Sequence, residues 1–482
     1  MDRTGQIFGN EMPVRVIRRA EQNKEKYRRK YGDAEQFHLA AKPAPAIGER
    51  LGVQQLVMSE TPAVQFDDRS IIIGNIRMGF GHYRIAMAMA SAAHALGYTP
   101  YWFDLHAFSD AAPGRIIGEQ NQLYSLGSRL SQAVPPFNKL VWEPLNSEGF
   151  RRLSYNSSDQ KTAELMTGAY ADLPKDIPFL ATHVWPAQAA IHAGLTRVVN
   201  AVPDNWPMAL HLAEGALHTV QTPSAALGYR ALRGMNGKRP LKPMPAGSVV
   251  CTGHYVDHEL VANIESDCAL RLERMQHGKA KRWLLSIGGA GAQKGLFITV
   301  IRKLLPFIQK EKAALFVNVG DHLGIWQEMA AAVPEMKPHL HEHFADFYEA
   351  ARFCDDAYYG DVTGIHAFSH ADVFAAVYVT NLLMRVSDVL LTKPSELSFY
   401  PVPKLMLPRV GGHEAWGAIR AAEVGDGTYE CRTPAEVIQL LQLMQRHDDV
   451  LAEMCANIQA AKQAGIYDGA YRAVRLTVGE KA

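Results

Sequence analysis

The sequence predicts an α/β protein made of two successive Rossmann-like domains, each built on a doubly wound parallel sheet. Three observations carry that prediction. A strand, glycine loop, helix, strand pattern opens at 70–105, and the same pattern opens again at 283–319. Between them lies GKRPLKPMPAG within 235–248, whose Pro, Gly and Lys content marks a break. A chain of 482 residues also exceeds what one core accommodates. The expected organisation is a basic N-terminal extension over 1–65, a first domain over 66–245, a second over 246–445 and closing helices over 446–482.

The elements follow in order. Residues 1–65 read as irregular apart from 13–31, where eight Lys/Arg stand against two Glu with apolar residues interspersed. Such a segment forms a basic amphipathic helix that either packs on the main body or lies on anionic lipid. SIIIG at 70–74 is a buried strand, followed by a loop with Gly79, Gly81 and His82, then an Ala/Met-rich helix to Leu96 that Gly97 stops. A strand over 101–105 completes the βαβ unit. Further short strands fall at 179–181 and 198–201, with His183 and Asp204 just past their C-terminal ends, the functional edge of such a sheet. In the second half a strand over 283–287 runs into Gly288, Gly289 and Gly291, then a helix over 296–309 and a strand over 314–319. Residues 340–385 give no clear pattern. Two more strands, 389–391 and 403–407, lead into Lys393 to Glu396 and into Gly411 to Glu414, the latter opening a helix.

Composition narrows the function classes. A formal charge of +1 offers no general attraction to nucleic acid. Five scattered cysteines without a CxxC pair suggest neither a zinc site nor a disulfide framework, and fit a reducing compartment. No apolar leader and no apolar run of membrane-spanning length is present, so a cytoplasmic protein is expected, with membrane contact confined to 13–31.

The loops carry the chemistry. Glycines before a helix let backbone N–H groups approach an anionic ligand, and the helix dipole favours negative charge there. His82, near such a helix start, is pushed toward its neutral form, which suits a general base; a helix-capping role is the plain alternative. Gly288, Gly289 and Gly291 serve either a tight turn or a diphosphate. A carboxylate at Glu396 can grip both hydroxyls of a ribose through its two oxygens. Asp104 stands where an NAD-binding acid would, yet Gly74, Gly79 and Gly81 do not have the G-x-G-x-x-G spacing. His366, expected on a helix one turn from His370 and Asp372, lacks a fourth partner for a metal, so no metal and no cofactor are expected.

Several segments resemble the GT-B glycosyltransferases of family 28 and its relatives, the peptidoglycan N-acetylglucosaminyltransferase and the diacylglycerol glycosyltransferases. Gly79-Phe-Gly81-His82 looks like their first glycine loop. Thr182-His183, Val202-Pro-Asp204-Asn-Trp206 and Thr222-Pro-Ser224 look like segments of the lipid-glycosylating members. Thr252-Gly253-His254 resembles the hinge, and Ser387-Asp388-Val-Leu-Leu-Thr392-Lys393-Pro394 is similar to A-D-x-x-I-T-K-P. The family's next residues, a Gly-Gly loop of about five positions, are absent; Lys393-Pro394 meets Ser395-Glu396 directly. His413-Glu414 stands where Gln-Glu is usual, with Gly417 in place of an Asn.

The resemblance implies two Rossmann-like domains across a cleft, an acceptor on the first and a nucleotide-sugar, usually a UDP-sugar, on the second. It implies inverting transfer to a lipid or glycan hydroxyl, with His82 or Asp204 as base. The donor would meet Gly288, Gly289, Gly291, Lys393, Glu396, His413 and Glu414; the acceptor side would be Gly79, Gly81 and His183. An epimerase or phosphorylase on the same fold, and a non-catalytic nucleotide-sugar-binding protein, are the alternatives.

Overall fold

The computed structural model describes residues 3–142, 144–287 and 293–480. After a small hairpin of β1 (Gln6–Ile7) and β2 (Asn10–Glu11), eight strands form the first sheet. They are β3 (His38–Pro43), β4 (Gln54–Ser59), β5 (Ser70–Asn75), β6 (Thr99–Asp104), β7 (Phe179–Ala181), β8 (Val198–Ala201), β9 (Leu217–Val220) and β10 (Val249–Cys251). Their order is β10-β9-β8-β7-β5-β6-β4-β3, parallel except for the β3–β4 pair at the edge. The first 65 residues are therefore not irregular: they supply two strands of this sheet and the basic helix Val14–Tyr31. That helix packs on the helix Leu153–Ala163, and Lys24 and Lys30 pair with Glu164 and Glu119.

The second sheet has the order β13-β14-β12-β11-β15-β16, all parallel. Its strands are β11 (Lys281–Ser286), β12 (Ala313–Asn318), β13 (Leu340–Phe344), β14 (Gly364–Ser369), β15 (Val389–Thr392) and β16 (Lys404–Met406). His366 lies inside β14, not on a helix, because Gly364–Ser369 is a fully buried run between two neighbouring strands. Both its ring nitrogens are engaged elsewhere, by His343 and the Thr363 carbonyl. Among the described residues no group of three or more His, Cys, Asp or Glu is arranged to hold a metal, and no helix is long and apolar enough to cross a membrane.

Each sheet has a point where the strand order reverses. In the first, β6 lies on one side of β5 and β7 on the other; in the second, β12 and β15 flank β11 in the same way. A crevice opens at the carboxyl ends of the strands at such a reversal. The two crevices face each other, so the molecule has the GT-B arrangement of two Rossmann-like domains across a cleft. The domains are joined by more than the linker. One apolar core runs through both, with Tyr83, Met87 and Trp102 from the first and Phe374, Tyr378 and Leu382 from the second. The C-terminal helix Gly469–Val478 returns to pack on the helix Gly81–Ala95 of the first domain.

Candidate functional site

Both crevices open into one cavity of about 580 Å³. From the first domain it is lined by Gly79, Gly81 and His82 after β5, His183 after β7, and Asp204 and His211 after β8. From the second come Lys393 and Glu396 after β15, and His413 and Glu414 after β16. Nine of the predicted site residues thus meet in one place. The remaining three, Gly288, Gly289 and Gly291, lie outside the described residues.

His82 sits in the first turn of the helix Gly81–Ala95. Its Nδ1 is 2.7 Å from the Thr182 carbonyl oxygen, which can only accept, so Nδ1–H donates and Nε2 carries the lone pair. Burial pushes the imidazole below its ordinary range, only partly offset by that bond and by Glu396. His183 caps the next helix, Val184–His192, by accepting the Trp185 N–H at Nδ1 (3.2 Å). Burial and the neighbouring imidazoles hold it well below the usual histidine range. The two rings stand edge to face with centroids 4.7 Å apart.

Asp204 accepts a 2.8 Å hydrogen bond from His211 Nε2. Burial alone would raise this carboxyl, but the His211 bond and the nearby imidazoles bring it below the ordinary carboxylate range. A carboxylate so stabilised in its charged form is a poor proton acceptor. His82 Nε2, by contrast, has no hydrogen-bond partner among the described residues. His211 was not anticipated from sequence: it ends the short 3₁₀ helix Ala209–His211, seven residues past Asp204, and only the three-dimensional fold shows the pairing.

On the opposite wall Lys393 and Glu414 form an ion pair. Burial would lower the Lys393 ammonium, but Glu414 and Glu396 outweigh it and keep the side chain charged. Glu414 also accepts from the backbone N–H groups of Val410 (2.8 Å) and Gly411 (3.2 Å), closing the turn before the helix Ala415–Val424. Glu396, half-buried, lays its carboxylate against the backbone of Gly81 across the cleft. A Cβ at position 81 would collide with it, so the glycine is needed for close approach between domains. Phe80 likewise seats its ring on Gly320 at the end of β12, and Arg77 pairs with Asp321 beside it.

Two family models match the chain, a domain of unknown function (DUF6937) over residues 6–231 and a second (DUF6938) over 244–478. No curated protein matches. Solved structures similar to this chain include a UDP-GlcNAc 2-epimerase from Neisseria meningitidis bound to UDP-GlcNAc, at 12% identity and TM-score 0.44, over 85% of this chain and 100% of that one. A putative UDP-N-acetylglucosamine 2-epimerase from Listeria monocytogenes is similar at 15% identity and TM-score 0.43, over 84% and 94%. An α,α-trehalose 6-phosphate synthase from Burkholderia multivorans is similar at 12% identity and TM-score 0.41, over 84% and 98%.

The cavity also has a wall that sequence reading missed entirely. Leu123, Tyr124, Leu145, Phe150, Met208 and Leu210 line its first-domain side. Most come from 112–150, a largely helical stretch whose apolar residues have no simple period: Leu123, Tyr124 and Leu145 border the cavity while still exposed, and Leu126 and Leu140 are exposed outside it. His254, in contrast, is structural: it bonds to the Phe399 carbonyl and accepts from Arg420, outside the cavity.

Proposed function

We propose that this protein is a glycosyltransferase that moves a sugar from a nucleotide diphosphate donor to a hydroxyl acceptor with inversion. The observation that carries the reading is the meeting of both crevices in one cavity. One wall presents a neutral imidazole with an open lone pair, and the other a cation, a carboxylate and a helix start. In this reading His82 Nε2 takes the acceptor proton as the acceptor oxygen bonds to the anomeric carbon. The bond from that carbon to the diphosphate oxygen breaks, and its electron pair leaves with the diphosphate. Lys393 and the N-terminus of the helix Ala415–Val424 meet the developing charge. Glu396 takes the ribose hydroxyls, and the acceptor lies against the apolar wall.

The first test is binding. Uridine diphosphate and other nucleoside diphosphates are screened by calorimetry, and a dissociation constant in the micromolar range is expected for at least one. No binding by any of them sinks the reading. The second test is turnover with UDP-sugars and hydroxyl acceptors. His82→Ala is expected to lower kcat by about 10²–10⁴ while leaving donor affinity unchanged; near-normal turnover would move the base elsewhere.

One observation favours a second reading, a nucleotide-sugar epimerase. The domains touch across the cleft at Phe80–Gly320 and Glu396–Gly81 and share a core, so its two walls already meet without a second substrate. A one-substrate reaction suits such a site. Isomerised nucleotide-sugar, formed without net release of diphosphate, would establish it.

A further inference from the structure

The hydrogen bonds around His82 and His183 fix the two rings in opposite tautomers. A carbonyl oxygen only accepts, so His82 Nδ1, 2.7 Å from Thr182 O, bears the proton and Nε2 does not. A backbone N–H only donates, so His183 Nδ1, 3.2 Å from Trp185 N, bears the lone pair and the proton of the neutral ring is on Nε2. Among the described residues neither Nε2 has a hydrogen-bond partner, and neither is among the buried polar atoms sealed without one. Both residues line the cavity, with ring centroids 4.7 Å apart and planes at 85°. A ring with a lone pair at Nε2 and a ring with an N–H at Nε2 thus touch on one wall of the cavity, each tautomer set by a main-chain partner.

A hydroxyl oxygen, of an alcohol or of a water it displaces, satisfies both at once. Its hydrogen is given to the acceptor, and the oxygen itself accepts from the donor. An ether or a carbonyl leaves His82 unmatched, and an ammonium leaves His183 unmatched. We infer that His183 is a positioning residue: its Nε2–H holds the oxygen of the same hydroxyl whose hydrogen faces His82 Nε2. The hydroxyl is thereby aligned with one oxygen lone pair turned into the cleft, toward Lys393 and Glu396. This rests on the reading of His82 as proton acceptor, but it requires no nucleotide.

The test is nuclear magnetic resonance of the full chain labelled with ¹⁵N-histidine, with His82→Gln and His183→Asn serving to assign the signals. Asn keeps a side-chain oxygen able to cap the helix at 184 and does not reach the cavity as the imidazole does, so the fold is preserved. Long-range ¹H–¹⁵N spectra at pH 7 are expected to show unprotonated Nε2 in His82 and unprotonated Nδ1 in His183. Glycerol, added as a simple hydroxyl probe, is expected to shift both Nε2 signals with one common midpoint. In His183→Asn the glycerol midpoint for the His82 signal is expected to rise about fivefold, with the His82 tautomer unchanged. The inference is overturned by a His183 ring protonated at Nδ1, by no glycerol response in the wild type, or by an unchanged His82 midpoint in His183→Asn. None of these outcomes depends on nucleoside diphosphate binding, so loss of the donor reading and loss of this one are told apart.

Discussion

At the residue scale, the cleft is set by pairs in which one domain leaves out a side chain and the other fills the space. Gly320 adopts φ +60°, a left-handed conformation, and a Cβ there would lie 2.6 Å from the Phe80 ring. Gly320→Ala is expected to cost about 1–3 kcal/mol in urea unfolding, from backbone strain and the displaced ring together. Gly81 differs, because what a Cβ would meet is the flexible end of Glu396; its replacement should disturb the site more than the fold. Glu396→Ala is expected to weaken uridine diphosphate binding tenfold or more, through two lost charge-assisted hydrogen bonds of about 1.5–3 kcal/mol each. Calorimetric titration measures it, and unchanged affinity removes Glu396 from the donor site. The sequence showed His82, His183, Asp204 and Glu396 because each follows a short buried strand. It could not show His211 or Phe80, whose roles come from partners 7 and 240 residues away.

Among the elements, legibility followed how uniformly an element is buried. β7 and β8 are short, wholly buried runs, and their limits can be read from apolar content alone. The stretch 340–385 resisted for two opposite reasons. β13 is an edge strand that mixes exposed and buried positions and carries His341 and His343. The helix Val373–Val386 has no polar face to give it a period, because residues 374–384 and 386 are all buried. β16 presents the reverse case, a strand that reads as apolar yet holds a fully buried cation. Lys404 Nζ donates to the carbonyls of Tyr400 (2.6 Å) and Val402 (3.1 Å) and pairs with Asp426 at 2.8 Å, both partners fully buried. The lysine thereby fixes the end of the loop that carries Glu396. Lys404→Met is expected to lose about 3–5 kcal/mol of stability, because Asp426 is left as an unpaired buried charge. The double variant Lys404→Met with Asp426→Leu should recover much of that loss in the same denaturation experiment. If the double variant is no more stable than the single one, the three-way lysine clamp and not the stranded carboxylate sets the cost.

For the whole molecule, a polar network crosses the boundary between the two domains together with the shared core. Arg84 of the first domain donates to Asn381 of the second at 3.0 Å, and Phe374 packs on both Tyr83 and Trp102. Ser91 bonds to Glu259 and to the His258 backbone, while Tyr400 donates to Asp257 at 2.7 Å, so the hinge is tied to both sides. Asp257 is fully buried, and burial together with the neighbouring Glu259 pushes its carboxyl up to about 8. Unfolded, the same group ionises near 3.8. Between these values the folded chain holds a proton that the unfolded chain has released, so raising the pH favours unfolding. This contribution to stability is complete below pH 3.8, falls steadily as pH rises, and is gone above about 8. Asp159, buried elsewhere in the first domain and likewise raised to about 8 by burial, adds to the same trend. Because other groups titrate as well, the difference between wild type and Asp257→Asn isolates the term. An amide at position 257 cannot ionise, so the variant should gain on the wild type progressively from pH 5 to pH 8 in urea unfolding and gain nothing further from pH 8.5 to 9.5. A difference independent of pH would mean that Asp257 is already ionised in the folded protein and that the hinge is held by charge. A rise confined to that window would establish a protonated carboxyl at the joint between the two domains.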